Sequence, residues 1–173
     1  TGFRAPNGMG VGPNGEFTSG DNEGTWIPRC PINWIKPGGF YGVENLAHKM
    51  PLPKFNQPLC WLDKGWDNSG GGQTWVTSKS WGPFIGELLH TSYGRSSLYL
   101  VMKQEVDGQM QGGVVRFPVR FTSSAMRPRF SPHDGHLYVA GLKGWQSNAA
   151  RITGLDRVRY TGKPVHMPSG LRV

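Results

Sequence analysis

The sequence predicts an all-β fold, on three observations. Glycine and proline are abundant, at 26 and 14 of 173 residues, so turns recur along the whole chain. Helical patterning is nearly absent, whereas short apolar or alternating runs bounded by turn residues are frequent. The chain also carries 8 Phe, 7 Trp and 5 Tyr, enough large side chains to anchor a folded core rather than a disordered one. This composition excludes a helical bundle, a coiled coil and, for want of a G-X-Y period, collagen. The length is that of one ordinary domain.

Gly8 to Val11 reads as the first strand. Gly12-Pro13-Asn14-Gly15 is a tight turn, because Asn-Gly supplies the positive φ that hairpins need, and Glu16 to Ser19 returns. Ile32 to Ile35 is the next strand, closed by Lys36-Pro37-Gly38-Gly39. Residues 43–73 read as a long loop, with Pro51, Pro53, Pro58 and the polar run Asn68 to Gly72. Thr74 to Thr77 resumes the strands. The best helix pattern, Pro83 to His90, is interrupted by Gly86. Glu87 to Ser92 and Ser97 to Lys103 read as strands on either side of Tyr93 to Ser96, and Asp107-Gly108 is another hairpin turn. Val114 to Phe121 alternates basic and apolar residues, and Pro118 marks it as an edge strand or a bulge. Pro128 to Phe130, the turn Ser131 to Gly135 and His136 to Ala140 form a further hairpin, and Leu155 to Tyr160 is the last strand.

Met9 to Phe17 and Arg129 to Leu137 share one design: strand, proline, polar residues, glycine, strand. Such a unit suits a β-propeller blade, whose neighbouring strands reverse in tight turns while their apolar faces pack on the next blade. At roughly 40–50 residues per blade, the chain holds about three four-stranded blades: residues 1–45, 46–120 and 121–165, with 166–173 as a tail. Three blades make a partial propeller with two open flanks, to be completed by further sequence or by a second copy. The chain starts at Thr1 in the middle of a motif, which reads as a processed product or a piece of a longer protein.

The net charge is +8, so the surface attracts anions. The basic residues are scattered rather than gathered in an arm, which argues against nucleic acid as the partner. No apolar run approaches the roughly 20 residues of a membrane helix, and no signal segment is visible. Cys30 and Cys60 form no CxxC; they are either a disulfide of an oxidising compartment or two buried thiols. The haem-attachment motif CxxCH, a P-loop and a dinucleotide fingerprint are absent.

Several segments resemble one family. Gly2-Phe-Arg-Ala-Pro-Asn-Gly8 through Phe17, then Gly20-Asp-Asn-Glu-Gly24 and Lys36-Pro-Gly-Gly-Phe-Tyr-Gly42, are similar to a stretch of the glucose/sorbosone dehydrogenases. Leu88-Leu-His-Thr-Ser-Tyr-Gly-Arg-Ser96 and Met126-Arg-Pro-Arg-Phe-Ser-Pro-His-Asp-Gly-His-Leu-Tyr-Val139 extend the resemblance. Ser19 to Gly24, Trp145 to Ala149 and Arg157 to Val165 look most like the membrane-bound dehydrogenase or haem-binding propeller proteins of planctomycetes and verrucomicrobia. The resemblance implies the C-terminal half of a six-bladed propeller that oxidises a sugar or aldose and uses pyrroloquinoline quinone (PQQ) with Ca²⁺. Electrons would pass to the quinone or to a haem partner, in a periplasmic or secreted bacterial protein. It places Arg4, Arg95 and Arg127 against the carboxylates of the quinone, and Asp21, Asn22 and Glu23 in the calcium loop. The catalytic base of the family falls in an earlier blade.

Read on their own chemistry, the same residues keep two meanings. Asp21-Asn22-Glu23 is either an oxygen-donor loop for a cation or a solvated turn. Trp26, Trp66, Asp67 and Asn68 offer aromatic and polar contacts for a sugar, or else, for the 66–72 segment, a mobile linker. His90 is a weak candidate for acid/base work on an otherwise apolar strand, against a satisfied core histidine. His133 and His136 flank a turn. Arg127 and Arg129 share one strand face and, with Arg116 and Arg120, make a basic surface or a solvated edge. The alternative to a dehydrogenase is a non-catalytic propeller scaffold that binds glycan or protein through Trp26, Trp66, Trp81 and Trp145.

Overall fold

The computed structural model describes residues 1–166. Eleven strands run in chain order: β1 (Asn7–Val11), β2 (Phe17–Gly20), β3 (Cys30–Ile35), β4 (Cys60–Leu62), β5 (Gly70–Trp75), β6 (Leu88–Ser92), β7 (Ser97–Val106), β8 (Gln109–Arg116), β9 (Arg127–Phe130), β10 (Leu137–Leu142) and β11 (Thr153–Val158). They form three antiparallel meanders, β1-β2-β3-β4, β5-β6-β7-β8 and β9-β10-β11. The fold is all-β, a partial propeller. Two sheets are four-stranded and the third has three strands among the described residues. The tail expected at 166–173 lies, apart from His166, outside the described residues.

Two expectations from the sequence are corrected. The first sheet does not end near residue 45. After a 3₁₀ turn at Glu44–Leu46, the chain returns as β4, where Cys60 pairs with Ile32 and Leu62 with Cys30. The prolines of this segment hid a strand only three residues long. The helix pattern over Pro83 to His90 also fails. A 3₁₀ segment, Lys79–Phe84, is broken by a kink within it, where Gly82 takes φ 52°, and Leu88 onward is β6. The apolar run there is continuous because the middle sheet is covered on both faces.

That double burial follows from side-chain alternation. Leu88 and Val101 point toward the first sheet and share a core cluster with its Cys30, Ile32 and Leu62 and with Trp75 of β5. Leu89, Leu98 and Leu100 point toward the third sheet, onto Leu137, Val139, Trp81 and Phe84. Each such leucine, fully buried, contributes about 1.5–3 kcal/mol. The two outer sheets bury one face each. Met9, Val11 and Phe17 on the first and Leu142 and Leu155 on the third remain exposed, so both flanks of the array are open.

The innermost strands β1, β5 and β9 approach closely. A Cβ on Gly8, which sits at φ 78°, would collide with the backbone of Gly72, and one on Gly71 with the carbonyl of Ala125. The glycine run therefore is not a mobile linker: Gly70 to Gly72 are buried strand residues, placed where no side chain fits. Cys30 and Cys60 are both free. Burial pushes the Cys60 thiol up to about 12. Burial also raises the Cys30 thiol, which donates to Glu23 Oε2 at 2.7 Å.

Candidate functional site

In an antiparallel meander, alternate connections share an end. The starts of β1, β5 and β9 therefore lie at the same end as the β2–β3, β6–β7 and β10–β11 turns. Arg4, Asp21, Asn22, Glu23, Trp26, Trp66, Asp67, Asn68, Arg95 and Arg127 all fall on these segments. The structure thus brings the sequence candidates to one end of the array, although not into one cluster.

The innermost group is built on Asn7. Its Nδ2 donates to Gly70 O at 2.6 Å, and its Oδ1 accepts from Arg127 Nη2 at 2.9 Å. Arg127 Nη1 also donates to Gly71 O. One asparagine and one arginine thereby tie together the first residues of the three inner strands. Arg127 remains exposed, as does Arg4, three residues before Asn7. The Arg4 guanidinium lies against Gly24, where any Cβ would overlap it and where φ is 148°. Arg95 is elsewhere. Its Nε donates to Lys64 O at 2.9 Å, its Nη2 donates to the same carbonyl, and its backbone N–H donates to Ser92 Oγ at 3.1 Å. Its guanidinium thus clamps the β4–β5 connection, and among the described residues no hydrogen bond joins it to Arg4 or Arg127.

Asp21 is 1% exposed and its carboxylate accepts from three backbone N–H groups. Oδ2 accepts from Arg4 N at 2.7 Å, and Oδ1 from Ala5 N at 2.7 Å and Asn22 N at 2.8 Å. Three N–H donors converge where a cation would need bare oxygen lone pairs. Glu23 is engaged by the Cys30 thiol. Among the described residues no group of three His, Cys, Asp or Glu is placed to hold a metal. Asp21 thus pins the segment before β1 onto the end of β2, while the buried Asn22 Oδ1 next to it has no hydrogen-bond partner among the described residues.

Asp67 is the opposite of a loop residue. It is 1% exposed, and it accepts from Ser92 Oγ at 2.6 Å and from Ser69 N at 3.1 Å. His90 Nε2 lies 2.7 Å from its Oδ2, and His90 is also 1% exposed. The histidine is sealed between the first two sheets, against Gly20 and Gly70, so no substrate reaches it. His90 is a core residue but not a fully satisfied one: its Nε2 is paired with Asp67, 23 residues away in sequence, while its buried Nδ1 has no hydrogen-bond partner among the described residues. Trp66 and Trp26 are exposed, at 46% and 51%, but each edges a shallow outer groove that includes Trp61, beside β4. Asn68 Nδ2 donates to Gln146 O at 3.4 Å, toward the β10–β11 turn. Trp81 is 2% exposed and offers no stacking surface.

Sequence reasoning did not single out Asn7 or Ser92, nor the stacking of Trp145 on Tyr93. Their signals are short-range and ambiguous: Asn7 reads as part of a turn, and Ser92 as one more strand residue.

No protein-family model matches this chain, and no curated protein matches it significantly. Solved structures do. An aldose sugar dehydrogenase from Streptomyces coelicolor, in its PQQ-bound form, is 13% identical; the match covers 91% of this chain and 44% of that one, at a TM-score of 0.64. A glucose dehydrogenase is 17% identical over 92% of this chain and 45% of that one, also at 0.64. The soluble aldose sugar dehydrogenase of Escherichia coli, in its apo form, is 19% identical over 80% of this chain and 42% of that one, at 0.55. This chain spans less than half the length of each of these neighbours. Among the described residues no helix is long and apolar enough to cross a membrane. The chain shares the propeller fold of the glucose and aldose sugar dehydrogenases over almost half of their length.

Proposed function

We propose that this chain is part of a sugar or aldose dehydrogenase-like propeller, and that the end where its inner strands begin holds an anionic quinone of the PQQ class. The observation that carries the reading is two exposed arginines at one end of the array: Arg127 at the start of β9, joined to Asn7, and Arg4, three residues before Asn7. Arginine forks suit a ligand with several carboxylates, and the charge of +8 draws such a ligand in.

When bound, a quinone of this class supplies a two-electron acceptor for the sugar. The residues of this chain bind and orient. Arg4 and Arg127 take the carboxylates; Asn7 holds Arg127 in place; Gly24 leaves room for Arg4. His90 contributes structure only, so the base that takes the sugar proton comes from another part of the ring. This reading rests on the arginines and assigns calcium no side-chain ligand, since Asp21 already accepts from three backbone N–H groups. The acceptor of the electrons would be that quinone or a haem partner, in a periplasmic or secreted protein. The remaining blades, or a second copy, complete the ring. The finer kinship with planctomycete and verrucomicrobial propellers rests on the segments Ser19 to Gly24 and Arg157 to Val165.

A second reading, a non-catalytic scaffold that binds glycan or protein, is favoured by one observation: the Arg95 and Arg127 guanidinium groups both already donate to groups of the chain itself.

Titration of the purified chain with PQQ, followed by quenching of tryptophan fluorescence, tests the proposal. Binding is expected without added Ca²⁺, weakened about tenfold by Arg4→Gln or Arg127→Gln, the loss of one charge-assisted contact. Aldose-dependent dye reduction by the quinone-loaded protein completes the case. Absence of PQQ binding overturns it in favour of the scaffold.

A further inference from the structure

We propose that Trp145 is a stacking platform for a neutral pyranose, a carbohydrate subsite beside the arginine-bearing end. This rests on the reading that the protein handles carbohydrate, and it names the residue that receives the sugar.

Three tryptophans on the turn end are strongly exposed: Trp26, Trp66 and Trp145. Two of them edge outer grooves around Trp61. Trp145 instead reaches the inner strands. Its Nε1 donates to Ser69 Oγ at 3.4 Å, and Ser69 immediately precedes Gly70 and Gly71, whose carbonyls anchor Asn7 and Arg127. The platform therefore stands two residues of chain away from the arginine anchor.

The indole is presented rather than merely left outside. One face stacks on Tyr93 with centroids 4.3 Å apart and an interplanar angle of 29°, and Tyr93 is fully buried. The other face is open, for Trp145 is 56% exposed. The turn that carries it is locked to the second sheet. Tyr93 Oη donates to Trp145 O at 3.1 Å and accepts from Gly144 N at 2.9 Å. Ser147 Oγ donates to Tyr93 O at 3.3 Å, and Asn148 N to Gly94 O at 3.1 Å. Stacking on Tyr93 accounts for one face of the ring; the same bracing holds the exposed remainder in a fixed orientation, which preorganises it for a ligand. The C–H face of a pyranose stacks on a flat indole, and its hydroxyls need amide partners at the rim. Gln146 and Asn148 flank Trp145 and are exposed.

The test uses the full chain without quinone. Maltotriose, cellotriose and xylotriose are titrated while ¹H–¹⁵N spectra record the indole N–H signals; Trp145→Phe assigns the Trp145 signal by its loss. A saturable shift of that signal, larger than those of Trp26 and Trp66, with at least one sugar is the expected result. Trp145→Ala is expected to weaken binding of that sugar about tenfold, and Trp145→Phe less than about threefold, since a smaller ring still stacks. No shift with any of the sugars, or shifts confined to other tryptophans, overturns the platform. Because no redox step is read, failure of PQQ binding leaves this result standing, and quinone turnover without a Trp145 shift removes the platform alone.

Discussion

Asp67 and His90 meet at 2.7 Å with each side chain 1% exposed, and this contact fastens the β4–β5 connection to the middle of the second sheet. Ser92 Oγ and Ser69 N complete the shell of the Asp67 carboxylate. Removing one partner leaves a buried polar group without its bond, at a cost of about 3 kcal/mol. Asp67→Ala and His90→Ala are therefore each expected to lose about that much stability in urea denaturation. The double variant is expected to lose clearly less than the sum, because the second deletion removes the group that the first one orphaned. Additive losses would mean that the two side chains stabilise the fold independently.

The glycine run predicts a second asymmetry. Gly71 faces backbone atoms of Ala125 and Met126, so an added methyl has nothing flexible to displace. Gly113, in β8, has open space around its Cβ position. Gly71→Ala is expected to cost about 2–3 kcal/mol through overpacking, and Gly113→Ala to stay within about 0.5 kcal/mol. Thermal or urea unfolding of the two variants side by side checks this. Equal effects would remove the close approach of the inner strands from the account of the fold.

The sheets were legible in the sequence because their signals are local. Asn14-Gly15 and Asp107-Gly108 announce hairpins by their backbone demands alone, and both glycines do take positive φ, 85° and 75°. The alternation of Leu88 and Leu89 between two cores was hidden, since a continuous apolar run fits a helix or a doubly buried strand equally well. β4 was hidden by its three-residue length among prolines. The site was legible as a set of segments at turns, and strand direction then gathers them at one end. Its internal order was not legible. Whether Asp21 faces a cation or three N–H groups depends on where Arg4 and Ala5 lie, and whether Asp67 is a loop residue or a buried anchor depends on Ser92 and His90, 23 to 25 residues onward. Such contacts are set by tertiary packing and leave no mark on spacing.

The turn before β10 carries a pH-dependent contact. The Asp134 carboxyl is held down at about 2, first by the backbone N–H of His136, which donates to Oδ1 at 3.0 Å, and then by the Tyr138 hydroxyl, which donates to Oδ2 at 2.8 Å. In the unfolded chain an aspartate titrates near 3.9. The folded form binds its proton less readily, so this contact stabilises the fold fully above about 4. The contribution declines as pH falls through the interval between the two values and is gone below about 2. Side-chain carboxyl chemical shifts across an acid titration should show the Asp134 midpoint below that of an aspartate in the unfolded chain. Tyr138→Phe deletes one of the two donors and should move the Asp134 midpoint upward, while the backbone donor keeps it below that of the unfolded chain. A midpoint unchanged by that substitution would mean that the phenol does not reach the carboxylate in solution.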